Sequence, residues 1–272
     1  MTKHVDDEAM VEEAEKLSSK HIFEVIRRDG EEELERPNVS LFWSGVAAGL
    51  MISLSVLGEA IFRTYLPETG WRHLVENLGY SLGFIVVILG RMQLFTENTI
   101  TTVLPVMHEP TPGMLQRSLI LWLIVLLANV IGAFLVATAF AYGSFIPQEL
   151  LPAITEISEH AARLGASTAF QRAIPAGVLI AAIVWMMPRA EGAGFFVILT
   201  FTWLIAAGDF THIIAGSVEM AFLILRGLLP LDQAIMGFFL PVLAGNVLGG
   251  TAIFALLAFG QVRRELPSPE DT

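Results

Sequence analysis

The sequence predicts an all-α integral membrane protein of six transmembrane helices in an inverted three-plus-three repeat, two of them broken in mid-membrane. Three observations carry this expectation: a composition too apolar for a water-soluble domain, six long apolar stretches, and an ordered similarity between the two halves. Of the 272 residues 54% are hydrophobic and 16% charged, whereas a soluble domain carries about 25% charged residues. The net charge of -11 belongs largely to the tails, since residues 1–36 are crowded with Asp, Glu, Lys and Arg. Cysteine is absent, which excludes disulfides and thiolate metal sites. The N-terminus lacks the short apolar core and small-residue cleavage site of a secretory signal.

Taken in order, residues 1–38 form a charged N-terminal helix and linker. Within them, Val11, Ala14, Leu17, His21, Ile22, Val25 and Ile26 approximate one apolar face. Residues 39–146 make the first membrane half. A spanning helix needs roughly 20 mostly apolar residues to cross ~30 Å of hydrocarbon. The stretch 39–62 satisfies this with one charge, Glu59, and 118–146 with none. The stretch 78–107 is long enough but holds Arg91 and Glu97 around a polar run at 93–99, and reads as a broken helix. Residues 147–163 are read as an inter-repeat loop, and 164–262 as the second half. There, 164–187 has Arg172 near its start, 193–225 is interrupted by Gly208-Asp209-Phe210-Thr211-His212, and 233–262 carries no charge. Residues 263–272 are a tail.

An even number of spans places both termini on one side. That side then carries Lys3, Lys16, Lys20, Arg27, Arg28, Arg36, Arg117, Arg189, Arg263 and Arg264, against Arg63, Arg72, Arg163, Arg172 and Arg226 opposite. The positive-inside rule makes the terminal side cytoplasmic.

The repeat rests on three matches. Ala48-Gly49-Leu50-Met51-Ile52 resembles Ala176-Gly177-Val178-Leu179-Ile180, Phe95-Thr96 recurs as Phe210-Thr211, and Asn129-Val130-Ile131-Gly132 as Asn246-Val247-Leu248-Gly249, at offsets of 128, 115 and 117. Three spans per half oblige the second half to enter inverted. Broken helices then meet near the midplane, where freed backbone groups must line a cavity or be buried in protein. Gly132, Gly245, Gly249 and Gly250 suit close helix packing. Asn98, Asn129 and Asn246 are expected as polar pins for the broken backbone.

Together these residues resemble the formate/nitrite transporter family over about residues 39–262. The specific pieces are Leu94-Phe95-Thr96 with Asn98-Thr99, Asp209-Phe210-Thr211-His212, and the Gly-Asn-x-x-Gly-Gly ending at Gly245 to Gly250. Phe170-Gln171-Arg172-Ala173-Ile174 and Val184-Trp185 bracket the fourth helix as in that family, and Gln93-Leu94-Phe95-Thr96-Glu97-Asn98-Thr99 points to a divergent branch. The resemblance implies an aquaporin-like protomer, a pore through each subunit, a homopentamer in a bacterial inner membrane, and a small monovalent anion or its conjugate weak acid, formate- or nitrite-like, as solute. By position, Phe95 and Thr96 match the loop that narrows the pore and contacts solute, Tyr80, Phe84 and Ile205 match constriction positions, and His212 matches the central histidine. Asp209 and Thr211 stand where the family has Gly and Glu, Gly177 and Gly216 where it has Asn, and Ala161 where it has Lys. At the other break, Gln93 stands for Glu and Glu97 for Gly.

An ionisable group inside a broken span is a functional candidate, so His212 is read as the titrating group of the path, with Thr96 and Thr211 as hydroxyl contacts. Arg91 and Glu97 are expected to form an intramembrane ion pair. An unpaired Asp209 would repel anions, which keeps open a pore for a neutral solute or cation, or a scaffold with no working pore. No enzyme, cofactor or metal reading has support: one deep histidine without cysteine supplies neither haem ligation nor a zinc cluster. The expected partners are a small solute, membrane lipid and copies of the chain, and no nucleic acid.

Overall fold

The computed structural model describes residues 18–266. The expected helical face before Ser18, including Val11, Ala14 and Leu17, lies outside the described residues, as do Lys3, Lys16 and the end of the tail.

Helix α1 (Ser19–Glu35) is stitched by ion pairs one turn apart, with Arg27 bound to Glu24 at 2.6 Å and also to Glu31, and Arg28 to Glu24 at 2.8 Å. Its opposite face buries Ile22, Phe23 and Ile26, with the Phe23 ring 5.8 Å from Phe259. Pro37, which cannot continue a helical hydrogen-bond ladder, precedes α2 (Asn38–Tyr65). The chain continues through α3 (Arg72–Leu89), α4 (Phe95–Thr101), α5 (Val103–His108) and α6 (Pro112–Tyr142), whose start is capped by the Thr111 hydroxyl with Pro112 at its first position. Helix α7 (Leu151–Ala162) lies within the segment between the halves and packs on α2 and on α10. The second half comprises α8 (Ala166–Arg189), α9 (Gly194–Ala207), α10 (Ile213–Leu225) and α11 (Leu231–Val262).

Among the described residues five helices, α2, α3, α6, α8 and α11, are long and apolar enough to cross a membrane. The sixth expected span corresponds to α9 and α10 together. With 14 and 13 residues, each reaches only about 20 Å at 1.5 Å per residue, short of a bilayer core.

The halves are built alike. Helix α6 lies along α2, and α11 along α8. Gly132 allows the first approach and Gly249 the second, since a Cβ on Gly132 would strike the Val46 carbonyl and one on Gly249 the Ile174 carbonyl. Val46 and Ile174 are 128 apart, the offset expected from sequence, and Gly132 and Gly249 are 117 apart.

At the breaks the expected register is corrected. Helix α3 ends with Met92 N–H donating to Val87 O and Arg91 in the left-handed region at φ 50°; α9 ends with Phe210 N–H donating to Ile205 O and Asp209 at φ 55°. Each is a Schellman-type ending with a non-glycine residue in the left-handed position. Arg91 and Asp209 are 118 apart, so Phe95 corresponds to Ile213 rather than to Phe210. The Phe-Thr match at 115 is a coincidence of composition, because hydrogen bonding and backbone shape, not the dipeptide, are what the halves repeat.

Candidate functional site

Two asparagines hold the breaks together. Asn129, on α6, accepts from Phe95 N–H at 2.9 Å and donates to the carbonyls of Gly45 and Gln93, both at 2.8 Å. Asn246, on α11, accepts from Ile213 N–H at 2.8 Å and donates to Ala173 at 2.8 Å and Thr211 at 3.0 Å. Both side chains are fully buried. Each satisfies one N–H and one carbonyl that breaking a helix would otherwise leave unpaired, at a cost of about 1–3 kcal/mol apiece, and its third bond ties the break to a carbonyl of the neighbouring continuous helix. The N–H groups of Thr96 and Ile214, one residue further along each half-helix, have no acceptor among the described residues.

Between the breaks, the Thr96 hydroxyl lies 2.8 Å from His212 Nε2. The other ring nitrogen, Nδ1, accepts from the Ala215 N–H at 3.3 Å and so caps α10. That assigns the ring proton to Nε2, which donates to Thr96 Oγ1 and leaves the threonine proton free to reach a solute. Phe84 packs edge-on against the imidazole, with ring centroids 4.9 Å apart, and Tyr80 lies 5.2 Å from Phe84.

A cavity opens on each side of this group. The outer one, of about 290 Å³, lies opposite α1 and is lined by Tyr80, Asp209, Thr211 and His212 together with Glu59 and Glu219. The inner one, of about 310 Å³, lies beside α1 and is lined by Ile88, Leu94, Glu97 and Asn98 with Asp29 and Glu33 of α1. Tyr80, Phe84 and Ile88 follow one another at four-residue spacing on one face of α3. Tyr80 faces the outer cavity and Ile88 the inner, roughly 12 Å apart along the axis, and Phe84 fills the interval.

The remaining expected site residues fall as follows. Thr211 borders the outer cavity, but its hydroxyl donates to Ala169 O at 2.9 Å. Phe95 is turned away from both cavities onto Trp122, with centroids 5.7 Å apart. Ile205 is wholly buried in the apolar core and borders neither cavity. The expected Arg91 and Glu97 ion pair does not form. The left-handed backbone at Arg91 directs its guanidinium to Asp29 of α1, at 3.9 Å, and Glu97 has no ion-pair partner among the described residues. Asn98 instead donates to Gln93 at 3.0 Å, and Gln93 to Glu33 of α1 at 2.7 Å, a chain of amides that ties α1 to the first break.

Asp209 is paired. Arg172 meets one carboxylate oxygen at 3.2 Å and His160 the other at 3.1 Å. The space above the histidine has also been refilled: a Cβ on Gly216 would strike the ring of Phe238, which lines the outer cavity where a longer polar residue could otherwise reach. Sequence reasoning missed Phe238 because glycine and phenylalanine, 22 residues apart on different helices, exchange volume only in three dimensions.

A family model described as "Formate/nitrite transporter" matches residues 20–260. The Escherichia coli inner membrane protein YfdC is 46% identical over 245 residues, 90% of this chain and 79% of that protein. The formate channel FocA of Haemophilus influenzae is 26% identical, covering 89% of this chain and 95% of that one. Among solved structures, an FNT family ion channel superposes with a TM-score of 0.77 at 19% identity, over 91% of this chain and 99% of that chain. A pentameric formate channel with formate bound gives 0.68, also at 19%, over 84% and 98%. With the family's pattern spanning nearly all of the described residues and its fold reproduced around the paired breaks, the chain belongs to the formate/nitrite transporter family, in its YfdC-like branch.

Proposed function

We propose that the chain conducts a small monovalent anion or its conjugate weak acid, formate- or nitrite-like, along a path from the outer cavity past His212 and Thr96 to the inner one. The observation that carries this reading is the contact between Thr96 and His212, set between two cavities at the meeting of two half-helices. Supporting it, the Thr96 and Ile214 N–H groups lack protein acceptors and stand at helix N-termini, where the backbone dipole favours negative charge. Arg172 and His160 neutralise Asp209, which removes the repulsion an unpaired carboxylate would exert. Phe84 acts as the constriction in this reading, since an anion can pass it cheaply only after shedding charge. Phe95 and Ile205 back the path from behind rather than bordering it.

The relatives and the pentameric neighbour support a homopentamer in a bacterial inner membrane, with both termini cytoplasmic as the distribution of Lys and Arg suggests. The domain plan is an N-terminal helix, two membrane halves and a short tail. The absence of cysteine makes single-cysteine labelling from either side of sealed vesicles a direct test of orientation.

The test of function is flux into proteoliposomes of formate, nitrite, hydrosulfide, ammonium and water, comparing wild type with His212→Ala and Asp209→Ala. Formate or nitrite flux that His212→Ala abolishes supports the reading. Ammonium or water passing while both anions are excluded overturns it in favour of a cation or neutral-solute pore, and no flux of any kind leaves a scaffold.

A further inference from the structure

The outer cavity contains more acid than its ion pairs account for. Asp209 is met by Arg172 and His160. Glu76 lies 3.9 Å from Arg63 and 3.3 Å from Arg72. His73 points its Nε2 at the Ala207 carbonyl, 3.1 Å away. What remains is Glu59 from α2 and Glu219 from α10, neither of which has a hydrogen-bond or ion-pair partner among the described residues, although both border the cavity. Glu219 is only 8% exposed. Its carboxyl oxygens are nonetheless not among the sealed, unpartnered atoms, so the little surface it keeps opens into the cavity. The Tyr80 hydroxyl is in the same condition: 6% exposed, without a partner, and on the cavity wall.

Two bare carboxylates in so enclosed a space within the membrane carry a large desolvation and repulsion cost. A bound cation or a proton relieves it. A metal ion is a poor fit, because among the described residues no third histidine or carboxylate joins these two, whereas hard cations take six or more oxygen ligands. Two carboxyls that line one cavity without cationic partners instead favour the protonated form of at least one of them.

His212 is not placed to supply that proton itself. Its Nδ1 is an acceptor for the Ala215 N–H and its Nε2 is committed to Thr96, so a second ring proton would displace the cap of α10.

We propose that Glu219, supported by Glu59 and the Tyr80 hydroxyl, is the proton-exchange site of the outer cavity and protonates a weak-acid anion before it reaches Phe84. The inference rests on the weak-acid reading given above. In the step, the O–H bond of the Glu219 carboxyl breaks as an O–H bond forms on the anion. The neutral acid moves on, and the Glu219 carboxylate regains a proton from cavity water by way of Glu59. One proton travels with each anion, and nothing is oxidised or reduced.

Two measurements on the full-length purified protein test this separately. In infrared spectra near neutral pH, a carboxylic-acid carbonyl band present in wild type and missing from Glu219→Gln supports the site; an unchanged band overturns it whether or not the protein transports anything. In proteoliposomes with a lumenal pH dye, Glu219→Gln is expected to slow formate-driven lumenal acidification by at least about tenfold and to flatten its pH profile, while Glu219→Asp retains both. Wild-type formate flux that Glu219→Gln leaves untouched overturns the proton site alone. Absence of formate and nitrite flux in wild type overturns the proposed function, and the infrared result still decides the carboxyl pair. Should Glu219→Gln fail to assemble, Glu59→Gln takes its place: loss of the band and slowed acidification support the site, and wild-type behaviour in both overturns it.

Discussion

Thr96 and His212 are 116 residues apart in the chain, and their 2.8 Å contact is, among the described residues, the one side-chain-to-side-chain hydrogen bond between the two broken helices. Losing a buried hydrogen bond of this kind costs about 1–3 kcal/mol. Thr96→Val, which keeps the volume and removes the acceptor, is expected to cut formate or nitrite flux by about tenfold. Thr96→Ser should retain most of it, and equal flux for the two variants would remove the hydroxyl from the path.

The two pins should be equally costly to remove. Asn129→Ala and Asn246→Ala each abandon one N–H and one carbonyl at a break and cut its tie to a continuous helix. Both are expected to lower the thermal midpoint of the purified oligomer markedly and by similar amounts, since each is worth at least about 2 kcal/mol. A mild effect at one position alone would mean that its break is held by other contacts.

Gly216 and Phe238 form a complementary pair. Gly216→Ala drives a methyl group into the ring and is expected to destabilise by about 1–3 kcal/mol, as overpacking does. In the double variant with Phe238→Leu, part of that loss should return. A double-mutant cycle in thermal stability measures the coupling, and strict additivity would show that the two do not share space.

Asp209 neutralises Arg172 from a left-handed backbone position. Asp209→Gly relaxes roughly 1–2 kcal/mol of backbone strain and frees a positive charge at the cavity. Anion flux is expected to rise at low ionic strength, and the gain to shrink as salt screens the exposed charge. A fall in flux at all salt concentrations would assign the carboxylate a direct part in conduction.

The N-terminal helix should respond to acid. Hydrogen bonds from Arg27 hold the Glu24 carboxyl down from 4.5 to about 2 against the opposing effect of burial, and Arg28 adds to them. A carboxyl depressed in the folded state stabilises above its unfolded value and loses that contribution as pH falls toward its folded one. Hydrogen-exchange protection across α1, taken relative to the intrinsic rate at each pH, is therefore expected to be high above about pH 4.5 and to fall between there and about pH 2. Glu24→Gln should exchange faster at neutral pH and lose this pH dependence.

Much of this arrangement could be read from the residues. Polar runs inside apolar stretches marked both breaks, and the Asn-x-x-Gly matches identified helices that pack alike. The register at the breaks could not be read by residue identity, because Gln93 and Thr211, which accept equivalent hydrogen bonds, have no chemistry in common beyond a carbonyl. The pairing of Gly90-Arg91 with Gly208-Asp209 was the available signal, since helix endings conserve backbone shape more than side chains. The fate of Arg91 was hidden for a different reason. Its partner Asp29 lies on α1, and nothing local reveals that an N-terminal helix folds back beneath the membrane body. The same holds for one of the two partners of Asp209, since His160 comes from α7, within a segment polar enough to be taken for a loop, while Arg172 comes from α8.

The single turn of α3 that places Phe84 between the cavities bears on bioenergetics. Proton hopping needs an unbroken file of water, and an aromatic plug backed by an imidazole interrupts that file. On the proposed path, a pore sealed in this way can sit in an energised membrane without short-circuiting the gradient that drives ATP synthesis, because a proton crosses only when a solute carries it past the ring.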